Sequence, residues 1–329
     1  MLTKRENLLE TIQGGHPDRF VNQFEAFVML SKPKNPGAKS VKRGQGPIVD
    51  EWGVTKIWPE DNPGPFPVHT PDKIVVKDIT RWKEYVKAPN VIFSEAEWEP
   101  YIKKAEEVDR REYFATMYKA PGIFEQSHYL CEMQNAMINL YEEPDDMKEL
   151  LKYIAEYEIK LAEQVCRYLK PDALFHHDDW GSQTSTFMSR EMFEEFLMPL
   201  YKDVYGCYKE NGVQLIVHHS DSYAETLVPC MIEMKIDIWQ GVMTTNNIPE
   251  LIKKYGGQIS FMGGINSASI DFEGWTPEII KKEVKRACDT YGKLYFIPGA
   301  SQGGAISTYP GVYEATSEAI AEYSKIAFK

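Results

Sequence analysis

Two stretches of the chain combine histidine and aspartate at the ends of apolar, strand-like runs. One is His-His-Asp-Asp over residues 176–179, and the other is His-His-Ser-Asp over residues 218–221. Residues two apart in a strand share a face. The two same-face pairs are His177 with Asp179 and His219 with Asp221. An imidazole beside a carboxylate suits a metal ion, and it also suits acid–base work in which the carboxylate orients the ring.

These residues leave both chemistries open. His219 and Asp221 are our candidate metal ligands, but two ligands are fewer than a zinc site needs. We take His177, Asp178 and Asp179 as the candidate catalytic acids and bases. Glu125 follows another strand-like run, and it either faces the same pocket or is simply an acid in the first turn of a helix.

The elements that must position these groups alternate along the chain. Strand-like apolar runs are expected near residues 20–27, 113–118, 173–177, 213–219, 236–242, 259–263 and 293–298, with an eighth around 48–58. Helical segments lie between them, which predicts a parallel sheet covered on both faces. The count favours a single closed (β/α)8 TIM barrel, whose active site gathers at the carboxyl ends of the strands.

The helices carry recognisable start signals. Apolar residues repeat at intervals of three and four over 145–169, which predicts an amphipathic helix that begins after Pro144. Ser189 is expected to cap a helix over 190–211, and Thr276 with Pro277 to open another.

Residues 31–101 interrupt this alternation with many prolines. We interpret them as an elaborated insertion over one barrel end, within one domain that spans residues 1–329. Residues 32–43 hold five basic residues and no acid. They form either a solvated loop or a surface that docks an anion or partner.

Composition narrows the function classes. The chain has 329 residues and a net charge of −12, which argues against nucleic acid and anionic membranes as partners. It contains no run of 18 apolar residues and no apolar signal core in its opening residues. The five cysteines form no CxxC pair and are expected to be reduced. We therefore expect a cytoplasmic protein.

Taken in order, these motifs resemble the uroporphyrinogen decarboxylase superfamily, on its branch of cobalamin-dependent methyltransferases. The matching segments are residues 4–9 with 14–19, Asp50-Glu51-Trp52-Gly53-Val54, residues 178–183 with 189–193 and Pro199, and His219-Ser220-Asp221 with Ile232-Glu233. The resemblance runs over nearly the whole chain and implies a single (β/α)8 barrel with its site at the carboxyl rim. Glu51, in the second segment, is a further candidate catalytic residue.

The resemblance also implies a chemistry. Methyltransferases of this branch move a methyl group between a small molecule and a corrinoid held by a separate protein. Several bind zinc through a His-x-Cys pair and a later Cys. Here His219 matches the histidine, Asp221 stands at the first cysteine, and Ala300, Ser301 and Gln302 occupy the region of the second. Without thiolates the site is harder and more Lewis-acidic, which disfavours the enzymes that methylate a thiol.

The expected function is therefore a corrinoid-dependent methyltransferase. It would demethylate a small methyl donor, either a methoxylated aromatic or a methylamine or betaine, onto the Co(I) corrinoid of a partner protein. Zinc is the metal expected if one binds. The alternatives are transfer from a methylcorrinoid to tetrahydrofolate, a metal-dependent lyase or decarboxylase on the same barrel, and a barrel that docks the corrinoid protein without chemistry of its own. Porphyrinogen decarboxylation is disfavoured, because the arginine-rich segment of true decarboxylases has no counterpart between Glu25 and Gly46.

Overall fold

The computed structural model describes residues 1–62 and 64–329. Its strands are β1 (Phe27–Leu30), β2 (Ile48–Val49), β3 (Thr55–Ile57), β4 (Phe66–Pro67), β5 (Phe114–Lys119), β6 (Ala173–His177), β7 (Leu215–His219), β8 (Ile238–Val242), β9 (Ser260–Ile265) and β10 (Phe296–Ala300). Seven of them form one parallel sheet in the order β1-β5-β6-β7-β8-β9-β10. The predicted α/β class and parallel sheet are confirmed.

Helices follow most of the strands. They are α1 (Lys4–Gln13), α2 (Trp82–Tyr85), α3 (Glu95–Glu106), α4 (Ile123–Cys131), α5 (Met133–Glu142), α6 (Pro144–Leu169), α7 (Arg190–Phe196), α8 (Met198–Glu210), α9 (Val228–Glu233), α10 (Ile248–Tyr255), α11 (Ser267–Ile270), α12 (Pro277–Tyr291) and α13 (Val312–Ala327). Within the described chain, none of them combines the length and apolar character needed to cross a bilayer.

The predicted helix starts are confirmed, and one predicted helix is divided. Helix α6 begins at Pro144, and the side chain of Thr276 caps α12 by accepting the Ile279 N–H. Ser189 caps α7 in the same way, but the helix expected over 190–211 ends at Phe196 and resumes as α8. Pro199 explains the break, because it has no N–H to donate and its ring crowds the preceding turn.

Two apolar layers lie on the two sides of the sheet. The inner face packs a small core of alternate strand residues, among them Phe114, Phe175 and Val217, with Leu8 of α1. The outer face packs against the helices in a much larger core that includes most of the buried side of α6. This alternation leaves one side chain in two facing inward, where the upper members of each strand can form a site.

Closure into an eight-stranded barrel is not confirmed, because the described residues provide seven strands in the parallel sheet. The turn before β1 meets the opposite edge strand β10 where the Gln23 N–H donates to the Pro298 carbonyl, at 3.3 Å. The strand predicted over 20–27 lies instead at β1, since Gln23 has a φ of 52° and a turn occupies residues 23–26.

The eighth strand predicted over 48–58 is wrong. Strands β2 and β3 pair antiparallel with each other and with β4 in a separate three-stranded sheet. The Asp50 carboxylate accepts the N–H groups of Trp52 and Val54, and Gly53 takes a φ of 83°, so the chain turns back on itself here. This small sheet lies within the predicted insertion at 31–101. The insertion packs on α4 through the Val76 N–H, which donates to the Leu130 carbonyl at 2.9 Å.

Candidate active site at the carboxyl edge of the sheet

The register of three neighbouring strands brings three polar side chains together. His177 of β6 is the partner of His219 on β7, which is in turn the partner of Gln240 on β8. All three face inward, above the buried Phe175 and Val217. The two imidazole rings stack with centroids 4.1 Å apart and an interplanar angle of 22°.

Asp179 completes a group of three possible ligands with these histidines. One ligand atom from each of His177, Asp179 and His219 lies within 4.8 Å of the others. The Asp179 Oδ1 atom is 3.8 Å from His219 Nε2, and it accepts the backbone N–H of Asp221 at 2.9 Å. We call these three residues the His–Asp–His cluster.

Each histidine of the cluster is oriented by a neighbour at its Nδ1 atom. The Nδ1–H of His177 donates to Glu125 Oε2 at 2.9 Å, and that of His219 donates to Gln240 Oε1. Both Nε2 atoms are therefore left for a ligand or for proton transfer. A carboxylate or carbonyl behind the imidazole is how metal-bound histidines are usually held, and it also fixes the tautomer of a general acid or base.

The stacked rings carry different charges. Burial lowers the pKa of His177, but the carboxylates of Glu125, Asp179 and Asp221 outweigh it and raise that pKa to about 10. Burial and the adjacent His177 cation lower the pKa of His219 to about 3. In the metal-free protein at neutral pH, His177 is an imidazolium and His219 is a neutral base.

Asp221, the second predicted metal ligand, lies beside the cluster and outside the group of three. Burial raises the pKa of its carboxyl to about 6, opposed by His177 and by a hydrogen bond from Gln302. Burial and the nearby Asp221 also raise the pKa of Asp179 well above its usual range. Strand β8 bulges next to Asp221 at Gly241, where φ is 90° and a Cβ would lie 3.0 Å from the Asp221 Cα.

Two other predicted catalytic residues point elsewhere. Asp178 is buried, and its carboxylate accepts the N–H groups of Phe124 and Glu125 at the start of α4. Glu51 is exposed in the turn between β2 and β3, where it accepts a hydrogen bond from the Asn35 amide. Neither carboxylate is part of the His–Asp–His cluster.

The remaining histidines of the two doublets face the helices. His176 and His218 are fully buried on the outer side of the sheet, and both hydrogen-bond to the Tyr205 hydroxyl. Strand alternation thus gives each doublet one inward and one outward histidine, as the two-residue spacing predicts.

Sequence reasoning missed Gln240 and Tyr118 and left Glu125 undecided. Gln240 is the one polar side chain in the apolar strand β8, which is a signal that could have identified it. Tyr118 is the second-last residue of β5 and lies beside the cluster, where its ring stacks on Phe175 at 5.8 Å. Desolvation of its hydroxyl and the charges of Glu125 and Asp179 raise its pKa although 44% of the residue is exposed, so the hydroxyl remains a hydrogen-bond donor.

The cluster fits two chemical roles. Two imidazole nitrogens and one carboxylate oxygen are a donor set of catalytic zinc, which takes three protein ligands and keeps one position for water or substrate. The paired acceptors behind both rings strengthen that fit. Alternatively, the His177 imidazolium can donate its Nε2 proton to a leaving group.

A parallel α/β sheet with reactive side chains at its carboxyl edge is the arrangement of the α/β-barrel enzymes. Residues 77–323 match the family model described as Uroporphyrinogen decarboxylase (URO-D), which is more than half of the chain. The chain therefore belongs to the uroporphyrinogen decarboxylase family, and the predicted superfamily is confirmed. The match contains both histidine doublets and lacks the segments near residues 4–19 and 50–54.

Solved structures support the same fold. A methyltransferase from Methanosarcina mazei superposes with a TM-score of 0.67 and 15% sequence identity, over 98% of this chain and 99% of that one. At this identity the likeness shows a shared fold. An endo-beta-1,4-xylanase of glycoside hydrolase family 10 from Gloeophyllum trabeum has a TM-score of 0.40 and 11% identity, over 70% of this chain and 81% of that one, and it carries no functional argument. No curated protein sequence is recognisably similar.

Proposed function

We propose that this protein is a corrinoid-dependent methyltransferase that removes a methyl group from a small donor. The acceptor is the Co(I) corrinoid of a partner protein. The observation that carries the proposal is the His–Asp–His cluster at the carboxyl edge, with both Nε2 atoms left free by Glu125 and Gln240. Membership of the URO-D family and the shared fold with a methyltransferase agree with it.

The donor must be activated at its leaving atom. The Co(I) corrinoid, when bound, supplies the nucleophile that takes the methyl carbon. In a methyl ether the C–O bond breaks as this carbon is transferred, and the oxygen leaves with the electron pair. His177 provides the missing proton from Nε2, while Glu125 holds Nδ1–H and stabilises the cation before transfer.

This proton donor favours a methyl ether over a quaternary ammonium as substrate. A quaternary ammonium releases a neutral amine, which needs no proton to leave. An alkoxide or phenoxide is a much poorer leaving group unless it is protonated or bound to a Lewis acid. The half-exposed aromatic ring of Tyr118, beside the cluster, suits a flat donor such as a methoxylated aromatic.

Zinc is the second way to activate the same atom. His177, Asp179 and His219 would hold the ion, which would supply Lewis acidity at the leaving oxygen. Because a metal binds neutral imidazole, zinc and the His177 proton exclude each other at this nitrogen. Metal analysis of the purified protein separates the two.

Exposed apolar side chains near the same edge suit a large partner. Met29 of β1 and Tyr118 are 43% and 44% exposed, and Ile306 and Tyr309, in the segment after β10, are 77% and 47% exposed. Apolar groups left in solvent on one side of a protein often mark an interaction surface. This agrees with delivery of the corrinoid by a separate protein.

The test is an anaerobic reaction of the purified protein with cob(I)alamin and a panel of methoxyaromatics, methylamines and betaines. We expect methylcobalamin to appear with a methoxyaromatic, to be lost in His177→Gln and to persist in His16→Gln, whose exposed histidine lies beyond α1. Two results would redirect the proposal. Consumption of methylcobalamin with tetrahydrofolate would indicate the onward transferase, and turnover without any corrinoid would indicate a lyase.

A further inference from the structure

A buried polar chain lies behind the cluster, on the outer face of the sheet. It begins at Lys119, whose Nζ lies 2.9 Å from Glu158 Oε1, and continues from Glu158 Oε2 to His176 Nε2 at 2.8 Å. The Tyr205 hydroxyl lies between the two outward histidines, 2.9 Å from His176 Nδ1 and 2.8 Å from His218 Nδ1. The chain ends where His218 Nε2 lies 3.1 Å from the Asp178 carbonyl oxygen. The proposed reaction assigns no role to any of these groups.

The final contact fixes the direction of the hydrogen bonds. A carbonyl oxygen only accepts, so His218 donates its Nε2–H to Asp178. Burial keeps the pKa of His218 well below its ordinary value, so the ring is neutral and its Nδ1 accepts the Tyr205 O–H. The Tyr205 oxygen is then left to accept from His176. The main chain of Asp178 is thereby tied to the helices on the outer face.

The side chain of Asp178 is held as firmly as its main chain. Its oxygens accept the N–H of Phe124 at 2.9 Å, the N–H of Glu125 at 2.8 Å, and the Tyr201 O–H. Helix α4 begins after Gly122, which has no side chain with which to cap it. Asp178 supplies the missing acceptor from a different element, and its bonds to the Phe124 and Glu125 N–H groups oppose the burial that raises the pKa of its carboxyl.

Gly122 allows this approach. A Cβ at that position would lie 2.6 Å from Cγ and Oδ2 of Asp178, which is too close for any other residue without displacement. The Gly122 N–H also donates to the His177 carbonyl at 2.7 Å. Residues 177–178 and 122–125 are therefore joined by four hydrogen bonds, of which the fourth is the bond between Glu125 and the His177 ring.

We propose that Asp178 is a positioning residue, which sets the place of Glu125 and, through it, the orientation of the His177 ring. The inference rests on the proposed function for what the ring then does. It assigns Asp178 a role that requires no contact with the methyl donor. Because Asp178 stands between His177 and Asp179 in the chain, any shift of it moves two members of the cluster together.

The experiment compares Asp178→Asn with the wild type by two readouts. The first is the low-field proton signal of His177 Nδ1–H in protein labelled with nitrogen-15 histidine, assigned by its change in Glu125→Gln. The second is the separation of kcat from KM in methyl transfer. An asparagine amide offers one oxygen and a competing NH2, so one bond to α4 is lost. The matched control is Asp78→Asn, which removes an exposed aspartate that caps the short helical turn at Ile79–Arg81.

We expect the signal to shift or broaden in Asp178→Asn and kcat to fall about tenfold or more, with KM nearly unchanged. Asp78→Asn should leave both readouts as in the wild type. An unchanged signal overturns the proposal, whether kcat is retained or lost, and loss of kcat alone would mean that Asp178 acts directly. A shifted signal in a protein without methyl transfer supports the positioning role and refutes the proposed function instead.

If Asp178→Asn does not fold, amide hydrogen exchange in the wild type tests whether Asp178 holds the start of α4. The first N–H groups of a helix normally exchange quickly because they have no partner within the helix. Slow exchange at Phe124 and Glu125 is expected if the Asp178 carboxylate holds them. Fast exchange at both would overturn the inference.

Discussion

Replacing Glu125 by glutamine should make the stability of the protein depend less on pH above neutrality. The amide oxygen of Glu125→Gln can still accept the His177 Nδ1–H, so the change removes the charge and keeps the shape. The pKa of His177 is raised from its ordinary 6.5 to about 10, with Glu125 as the largest favourable cause. A raised pKa of this kind contributes stability that is fully present below about pH 6.5 and is lost as the pH rises through about 10.

The size of the effect follows from the shift. A difference of about 3.5 pKa units, at ~1.4 kcal/mol each, sets a ceiling of about 5 kcal/mol on what the charged ring adds to the free energy of unfolding. Asp179 and Asp221 remain in the variant and keep part of it. We therefore expect the free energy of unfolding of the wild type to exceed that of Glu125→Gln by about 3 kcal/mol at pH 7, a value typical of a broken buried ion pair.

This advantage should decline towards zero by about pH 10, where His177 is half neutral in the wild type. His128, the other histidine near Glu125, does not interfere, because burial lowers its pKa to about 4 and it stays neutral throughout. Starting at pH 7 also avoids the titration of Asp221 at about 6.

The assay is urea unfolding between pH 7 and pH 10 in the presence of a chelator, with the wild-type and variant values subtracted at each pH. Glu84→Gln is the control, since Glu84 forms an exposed pair with Arg81 and its loss should give a negligible difference at every pH. A difference between wild type and Glu125→Gln that stays constant to pH 10, or grows, would refute the assignment of a proton to His177.

Three further outcomes test the metal site and its supports. If zinc rather than the His177 proton activates the donor, elemental analysis of the purified protein should find about one zinc per chain, lost in His219→Ala and retained in Asp221→Ala. The reverse order would restore Asp221 as the ligand. Gln240→Leu should weaken zinc binding by roughly 10- to 100-fold in a competition titration, because the His219 ring loses its orienting acceptor; unchanged affinity would count against that role. Gly122→Ala should destabilise the protein by roughly 1–3 kcal/mol in urea unfolding, since its methyl group collides with Asp178. Wild-type stability in this variant would show that residues 122–125 can move away from Asp178 at little cost.

The sequence predicted the elements with a strong local period and the pairs that share a strand. Helix α6 was expected over 145–169 and spans Pro144–Leu169, because its apolar stripe and its opening proline are both local signals. The same-face pairing of His177 with Asp179 needs only the two-residue period of a strand. The prediction of an eighth barrel strand over residues 48–58 was wrong, because an apolar run of a few residues does not show which sheet it joins.

The ligand group was harder to predict because it depends on register between strands. Spacing along the chain grouped His219 with Asp221, whereas the register of β6 against β7 places His219 beside His177. Glu125 and Gln240 reach the two rings from a helix and from a third strand, 52 and 21 residues away along the chain. No local sequence pattern determines which residues of neighbouring strands are paired in the register of the sheet.

The histidine doublets show why two adjacent imidazoles at a strand end need not share a role. Successive side chains of a strand point to opposite faces, so within one doublet only one ring can enter the cleft. The inward rings are left with a free Nε2 atom, whereas both nitrogens of each outward ring are engaged by Glu158, Tyr205 and the Asp178 carbonyl. The outward pair thus fixes the ends of β6 and β7 from behind, where a small movement would change the distance between His177 and His219. Reactivity on one face of this sheet therefore depends on complete hydrogen bonding on the other.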